Sequence, residues 1–132
     1  MQEISEKIIE YFYLQYNEKI DEPFFLNYVC DKNIEGKNYS VNISNRALKH
    51  FVESRKESFS KNHSNEYALE KMIKMFSLIS VVIENGKVEL NKNKISRISI
   101  KHDLKEYGMR KHVIACEKIE NRLEIVSYHP TK

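Results

Sequence analysis

The sequence predicts an α+β domain in which amino-terminal helices are followed by an antiparallel β-meander packed on them. Up to about Ile83 apolar residues recur mostly at helical spacing, whereas beyond Asn85-Gly86 they alternate with polar residues at the period of a strand. Helices grouped before strands argue for α+β rather than for a parallel α/β sheet.

The elements follow in order. Ile4, Ile8, Ile9, Tyr11, Phe12 and Tyr16 keep helical intervals from Ser5 to about Asn17 with no Gly or Pro between them, which predicts a first amphipathic helix. Asp21-Glu22-Pro23 has the form of a helix start, so Phe24 to Cys30 reads as a short second helix, although its aromatic residues would also suit a strand. Gly36-Lys37-Asn38 marks a turn, and Tyr39 to Ile43 alternates as one short strand. Ser44 or Asn45 caps the next helix, which closes at Asn62-His63-Ser64-Asn65, and a further helix begins near Glu66. Val81 to Leu90 reads either as a hairpin closed by Asn85-Gly86 or as a helix ended by Gly86 and followed by a strand; helical spacing running into Ile83 favours the second. Ile95 to His102, Arg110 to Glu117 and Leu123 to Tyr128 are the strands of the meander, with turns at Tyr107-Gly108 and Glu120-Asn121 and a stop at Pro130.

A chain of 132 residues is one domain's worth, so residues 1–132 are read as a single domain. A hydrophobic fraction of 41% and a charged fraction of 31% are those of a globular protein, and no apolar run would span a bilayer. Acids stand in Met1-Gln2-Glu3-Ile4-Ser5-Glu6 where an export signal would carry bases, so a cytoplasmic protein without a membrane partner is expected, with delivery by a specialised route left open. The net charge of +3 is too small to announce nucleic-acid binding, but bases concentrate between Lys92 and Lys111 while acids dominate before Gly36. Cys30 and Cys116 stand far apart and read as free thiols; His50, His63, His102, His112 and His129 have no compact metal-ligand spacing. Neither metal nor cofactor is expected, and three glycines leave no room for a phosphate-cradling loop.

Arg55 is the most informative residue. Projected at about 100° per residue, it falls among Leu48, Phe51, Val52 and Phe59 on the apolar face of its helix. A guanidinium there must snorkel out, pair with a carboxylate, or face a cleft that admits an anion. His50 and Lys56 lie on the same helix.

The string Val41-Asn42-Ile43-Ser44-Asn45-Arg46-Ala47-Leu48-Lys49-His50, the basic Arg55-Lys56, the late strands and the closing Leu123-Glu124-Ile125-Val126-Ser127-Tyr128-His129-Pro130 resemble the small ribonuclease-toxin superfamily that includes barnase, EndoU, colicin D and RelE, especially versions carried by phages and mobile elements. The resemblance covers roughly Tyr39 to Pro130. It implies helices before a curved antiparallel sheet, a His from an early helix, and a Thr or Ser beside an aromatic residue on a late strand. Ser127 stands where Thr is commoner, and Glu117, Glu120 and Glu124 add acids to strands that would approach RNA. The implied activity is metal-independent RNA cleavage by attack of the ribose 2′-hydroxyl on the phosphodiester, which needs a base, an acid and cations around the phosphorus. His50 would then be general base or acid, Arg55 and Lys56 phosphate ligands, and Ser127 or Tyr128 a hydrogen-bonding group, with Arg110 and His112 as further substrate-binding candidates. A cognate inhibitor would be the expected protein partner.

Two other classes compete. The aromatic, acidic amino-terminal region, with Tyr11, Phe12, Tyr13, Tyr16, Phe24, Phe25 and Tyr28, would suit a non-catalytic partner-binding protein of antitoxin, immunity or effector-adaptor type. The basic stretch from Lys92 to Lys111 would suit a nucleic-acid-binding module without chemistry. Convergence of His50, Arg55 and Ser127 on one cleft would favour the enzyme.

Overall fold

The computed structural model describes residues 26–60, 64–106 and 109–131, without the side chains of 56–60, 65 and 106. Its first element is a hairpin. β1 (Leu26–Ile34) pairs antiparallel with β2 (Lys37–Ser44), and the register from Ile34 to Lys37 leaves only Glu35 and Gly36 in the loop. Both have positive φ, 52° and 84°, the handedness that matches the twist of two antiparallel strands, and Asn33 Oδ1 accepts the Gly36 N–H at 3.1 Å.

Three helices then cross to the far edge of the sheet: α1 (Asn45–Ser60), α2 (Asn65–Ser77) and α3 (Ile79–Asn85). Ser44 Oγ accepts the Ala47 N–H at 3.2 Å, and Ser64 Oγ accepts that of Tyr67 at 3.2 Å, so each of the first two helices starts on a serine cap. The helical run through Ile83 is broken at Leu78, whose N–H turns back to the carbonyls of Met75 and Phe76. Gly86 ends α3, and β3 (Lys87–Leu90), β4 (Arg97–Glu106), β5 (Met109–Ile119) and β6 (Arg122–Thr131) return as a meander.

The predicted arrangement of helices first and a purely antiparallel meander after them is corrected in two respects. Leu26–Ile34 is a strand, so the helices of the described residues follow a hairpin rather than open the fold. The sheet is mixed: among the described residues six strands lie in the order β1-β2-β6-β5-β4-β3, with β2 parallel to β6 over Ser40–Ile43 and Arg122–Ile125. Local spacing supports either state for the aromatic segment around Tyr28, and pairing with β2 decides it; the parallel contact joins residues about eighty positions apart, beyond the reach of any local pattern. The helix expected over Ser5–Asn17 and the start expected at Asp21-Glu22-Pro23 lie outside the described residues.

One face of this sheet carries Val41, Ile43, Ile98, Ile100, Ile114, Cys116, Leu123 and Ile125 against Leu48, Phe51, Val52, Met72, Phe76 and Ile83 of the helices, all buried. Phe51 and Phe76 meet edge to face at 5.0 Å, locking α1 on α2. Gly86 sits where α3 touches β4: a Cβ there would run into the Val82 carbonyl oxygen and stand 2.5 Å from Ile100 Cγ2. Two of those obstacles are backbone or fully buried. Gly86→Ala is therefore expected to lower unfolding free energy by about 1–3 kcal/mol, read from the midpoint of urea denaturation.

Candidate functional site

Strand β6 owes its functional face to an irregularity. Its register with β5 shifts between Ala115 and Cys116, which pair with Ser127 and Ile125, so Val126 is an extra residue. Strict alternation would have put Tyr128 on the side opposite Leu123 and Ile125. After the bulge Tyr128 and Pro130 turn into the core with Ile125, while Ser127 and His129 fall on the other side.

Beyond Ile125 β2 no longer pairs with β6, and α1 takes its place along that stretch. This also accommodates Pro130, which stands where β5 is β6's only strand neighbour among the described residues. The start of α1 and the outer face of β6 and β5 bound a groove of about 570 Å³, which contains Arg46 and His50 from α1, Ser127 and Glu124 from β6, Glu117 from β5, and Lys94 and Arg97.

At one end of the groove Glu117 collects three partners. Ser96 Oγ donates to it at 2.6 Å, Arg97 Nε at 2.9 Å, and Lys94 Nζ lies at 3.6 Å. The Ser96 hydrogen bond, then that of Arg97, hold its carboxyl below the usual range, so Glu117 is an anion that fixes Arg97 on the groove wall. Two residues beyond Ser127, burial pushes the His129 imidazole below its ordinary value, helped by the positive fields of Arg55 and His50. Arg55 is half-buried; burial lowers its pKa, its Nε has no hydrogen-bond partner among the described residues, and Tyr128 is the group that opposes the shift. A buried, unsatisfied guanidinium N–H is costly, and Arg keeps its charge regardless.

His50 and Ser127 thus share one groove, whereas Arg55 and His129 do not line it; His129 lies within the electrostatic reach of both Arg55 and His50. Tyr128 goes elsewhere: it is 4% exposed, stacks on Phe51 at 5.8 Å, and bonds His112 Nδ1 at 2.8 Å. The Leu104 carbonyl can only accept, so His112 Nε2, 2.8 Å away, carries the proton and Nδ1 receives the Tyr128 hydroxyl. His112 is fully buried, and both residues belong to the core. Burial also pushes the Tyr128 phenol well above its ordinary value. Arg110 is exposed and borders a separate hollow with Asp103 and Lys105; the Lys56 side chain lies outside the described residues. Sequence reasoning had no means of selecting His129 or Arg46: without the bulge His129 would share a face with Leu123 and Ile125.

Burial pushes the Cys30 and Cys116 thiols up to about 11 and about 12, so both are poor nucleophiles at neutral pH. Among the described residues no three His, Cys, Asp or Glu side chains gather as a metal-binding group, and no helix is long and apolar enough to cross a membrane.

Tyr128→Phe leaves one nitrogen of a buried imidazole without its partner and is expected to cost about 1–3 kcal/mol of stability by denaturant titration. A second expectation concerns pH. The folded-state pKa of His129 lies below its ordinary 6.5, so the unfolded chain takes up this proton first. Its contribution is intact above pH 6.5 and is lost as pH falls from there through the folded pKa. In His129→Asn that part of the acid destabilisation should be missing; an identical slope of unfolding free energy against pH in both proteins would refute it. No family model, curated protein or solved structure matches this chain.

Proposed function

We propose that this protein is a metal-independent endoribonuclease of toxin type, working where α1 borders the free half of β6. The observation that carries the reading is one groove that holds His50, Arg46, Lys94, Arg97 and Ser127, with His129, on the strand of Ser127, in the electrostatic fields of His50 and Arg55. Cleavage by the 2′-hydroxyl needs one group to remove its proton and a second to protonate the departing 5′-oxygen. His129, depressed below its ordinary value, is neutral at pH 7 and serves as the base; the exposed His50 protonates the leaving group. Arg55 and Arg46 offset the charge that builds on the phosphoryl oxygens, and Ser127 donates to one of them. Lys94 and Arg97 hold flanking phosphates, with Glu117 keeping the Arg97 side chain in place.

Total RNA incubated with the purified protein and a chelator should yield discrete fragments ending in cyclic phosphate. His50→Ala and His129→Ala should each slow cleavage by about 10²-fold or more at unchanged melting temperature. Arg55→Ala should do the same, with Arg55→Lys keeping part of the activity; a large loss of stability in both Arg55 variants would instead mark it as a structural ion-pair partner. RNA left intact between about pH 5 and 8 would favour a non-catalytic partner-binding protein. One observation supports that second reading: Tyr28, on β1 at the edge of the sheet among the described residues, is 60% exposed and presents an aromatic anchor there.

A further inference from the structure

The two ends of the sheet, β1 and β3, come close without pairing. Lys32 of β1 reaches the junction of α3 and β3, its Nζ donating to the Glu84 carbonyl at 3.3 Å and the Gly86 carbonyl at 3.1 Å. Beside this strut lies a cavity of about 530 Å³, separate from the groove of His50 and Ser127 and within the size range of small-molecule sites. Its floor is apolar: Tyr39 and Ile98 are buried, and Ile34 and Val88 pack against the core. Leu90, 69% exposed, stands at its mouth.

The charge around it has one sign in excess. Lys118 Nζ lies 5.5 Å from the centre of the Tyr39 ring and Lys37 Nζ 5.1 Å from it, so two ammonium groups converge on one aromatic side chain. Lys32 uses two of its three N–H groups on carbonyls and keeps one. None of the three lysines has an ion-pair partner among the described residues; Glu35, on the turn, is the carboxylate that also borders the cavity. Two of these cations, Lys32 and Lys118, line the cavity itself, and Lys37 adds its charge from beside the Tyr39 ring; an anion with an apolar body relieves their mutual repulsion while covering Leu90.

We propose that this cavity binds a small amphipathic carboxylate, its chain or ring on Tyr39, Val88, Ile98 and Leu90 and its carboxylate at Lys118 and Lys32. The site is independent of RNA cleavage.

Decanoate is a suitable probe. Titrated into the isotopically labelled protein, it should saturate one site and shift the amide resonances of Val88, Leu90 and Lys118. Decanol, equal in length but uncharged, should bind at least about tenfold more weakly. Lys118→Glu, an exposed position whose change leaves the core intact, should weaken decanoate by about tenfold or more at unchanged melting temperature, and Leu90→Asp should weaken it too. The proposal fails if decanoate does not saturate below about 1 mM, if decanol binds equally well, if Lys118→Glu has no effect, or if the shifts map to the groove of His50 and Ser127.

Discussion

The parallel pairing of β2 with β6 runs only from Ser40 to Ile43, and much of the molecule depends on where it stops. Had β2 continued, a strand would cover the second half of β6 on both sides and its outward residues would form one more stretch of solvated sheet. Because the chain turns into α1 at the Ser44 cap, the helix is laid along β6 instead. A helix set against a strand leaves a groove that two paired strands do not, and its walls come from different parts of the sequence.

Two features hold that junction in place. The bulge at Val126 sends Tyr128 inward, where it stacks on Phe51 of α1 and bonds His112 of β5. The hydrogen bond ties β6 to β5 and the stack ties β6 to α1, and both imidazole nitrogens have partners, the condition under which a polar group is tolerated in a core. Arg55 follows Phe51 by one helical turn, so the ring that anchors α1 also sets the place of the guanidinium. The same bulge turns His129 outward toward Arg55 and His50. Core packing and the proposed chemistry thus share one structural cause.

At the other end of the sheet the constraint is the gap between β1 and β3. Lys32 ties β1 to the junction of α3 and β3, and the space beside it is lined by side chains whose apolar faces belong to the core. The cations around it stand at turns and strand ends, where solvent meets the sheet. The described residues thus form, besides the hollow at Arg110, an imidazole-bearing groove outside the sheet and a lysine-rimmed cavity with an apolar floor near the sheet's two edges.

Much of the local structure was legible in the sequence. Helical spacing marked α1 and α2, Ser44 or Asn45 marked the start of α1, Gly86 marked the change from helix to strand, and alternation marked β2, β4 and β5, because each signal is carried by neighbours a few residues apart. The presence of His50, Ser127 and an anomalous Arg55 was equally visible, since a charge on an apolar helical face breaks its own periodicity. What tertiary structure decided was everything that depends on distant partners. The segment around Tyr28 became a strand because β2 pairs with it, and β2 came to lie parallel to β6. One inserted residue reversed the faces of the last strand, exchanging Tyr128 for Ser127 and His129. A bulge has no compositional mark in Ile125-Val126-Ser127; it exists because burying Tyr128 against Phe51 and His112 is worth more than the unbroken ladder it interrupts.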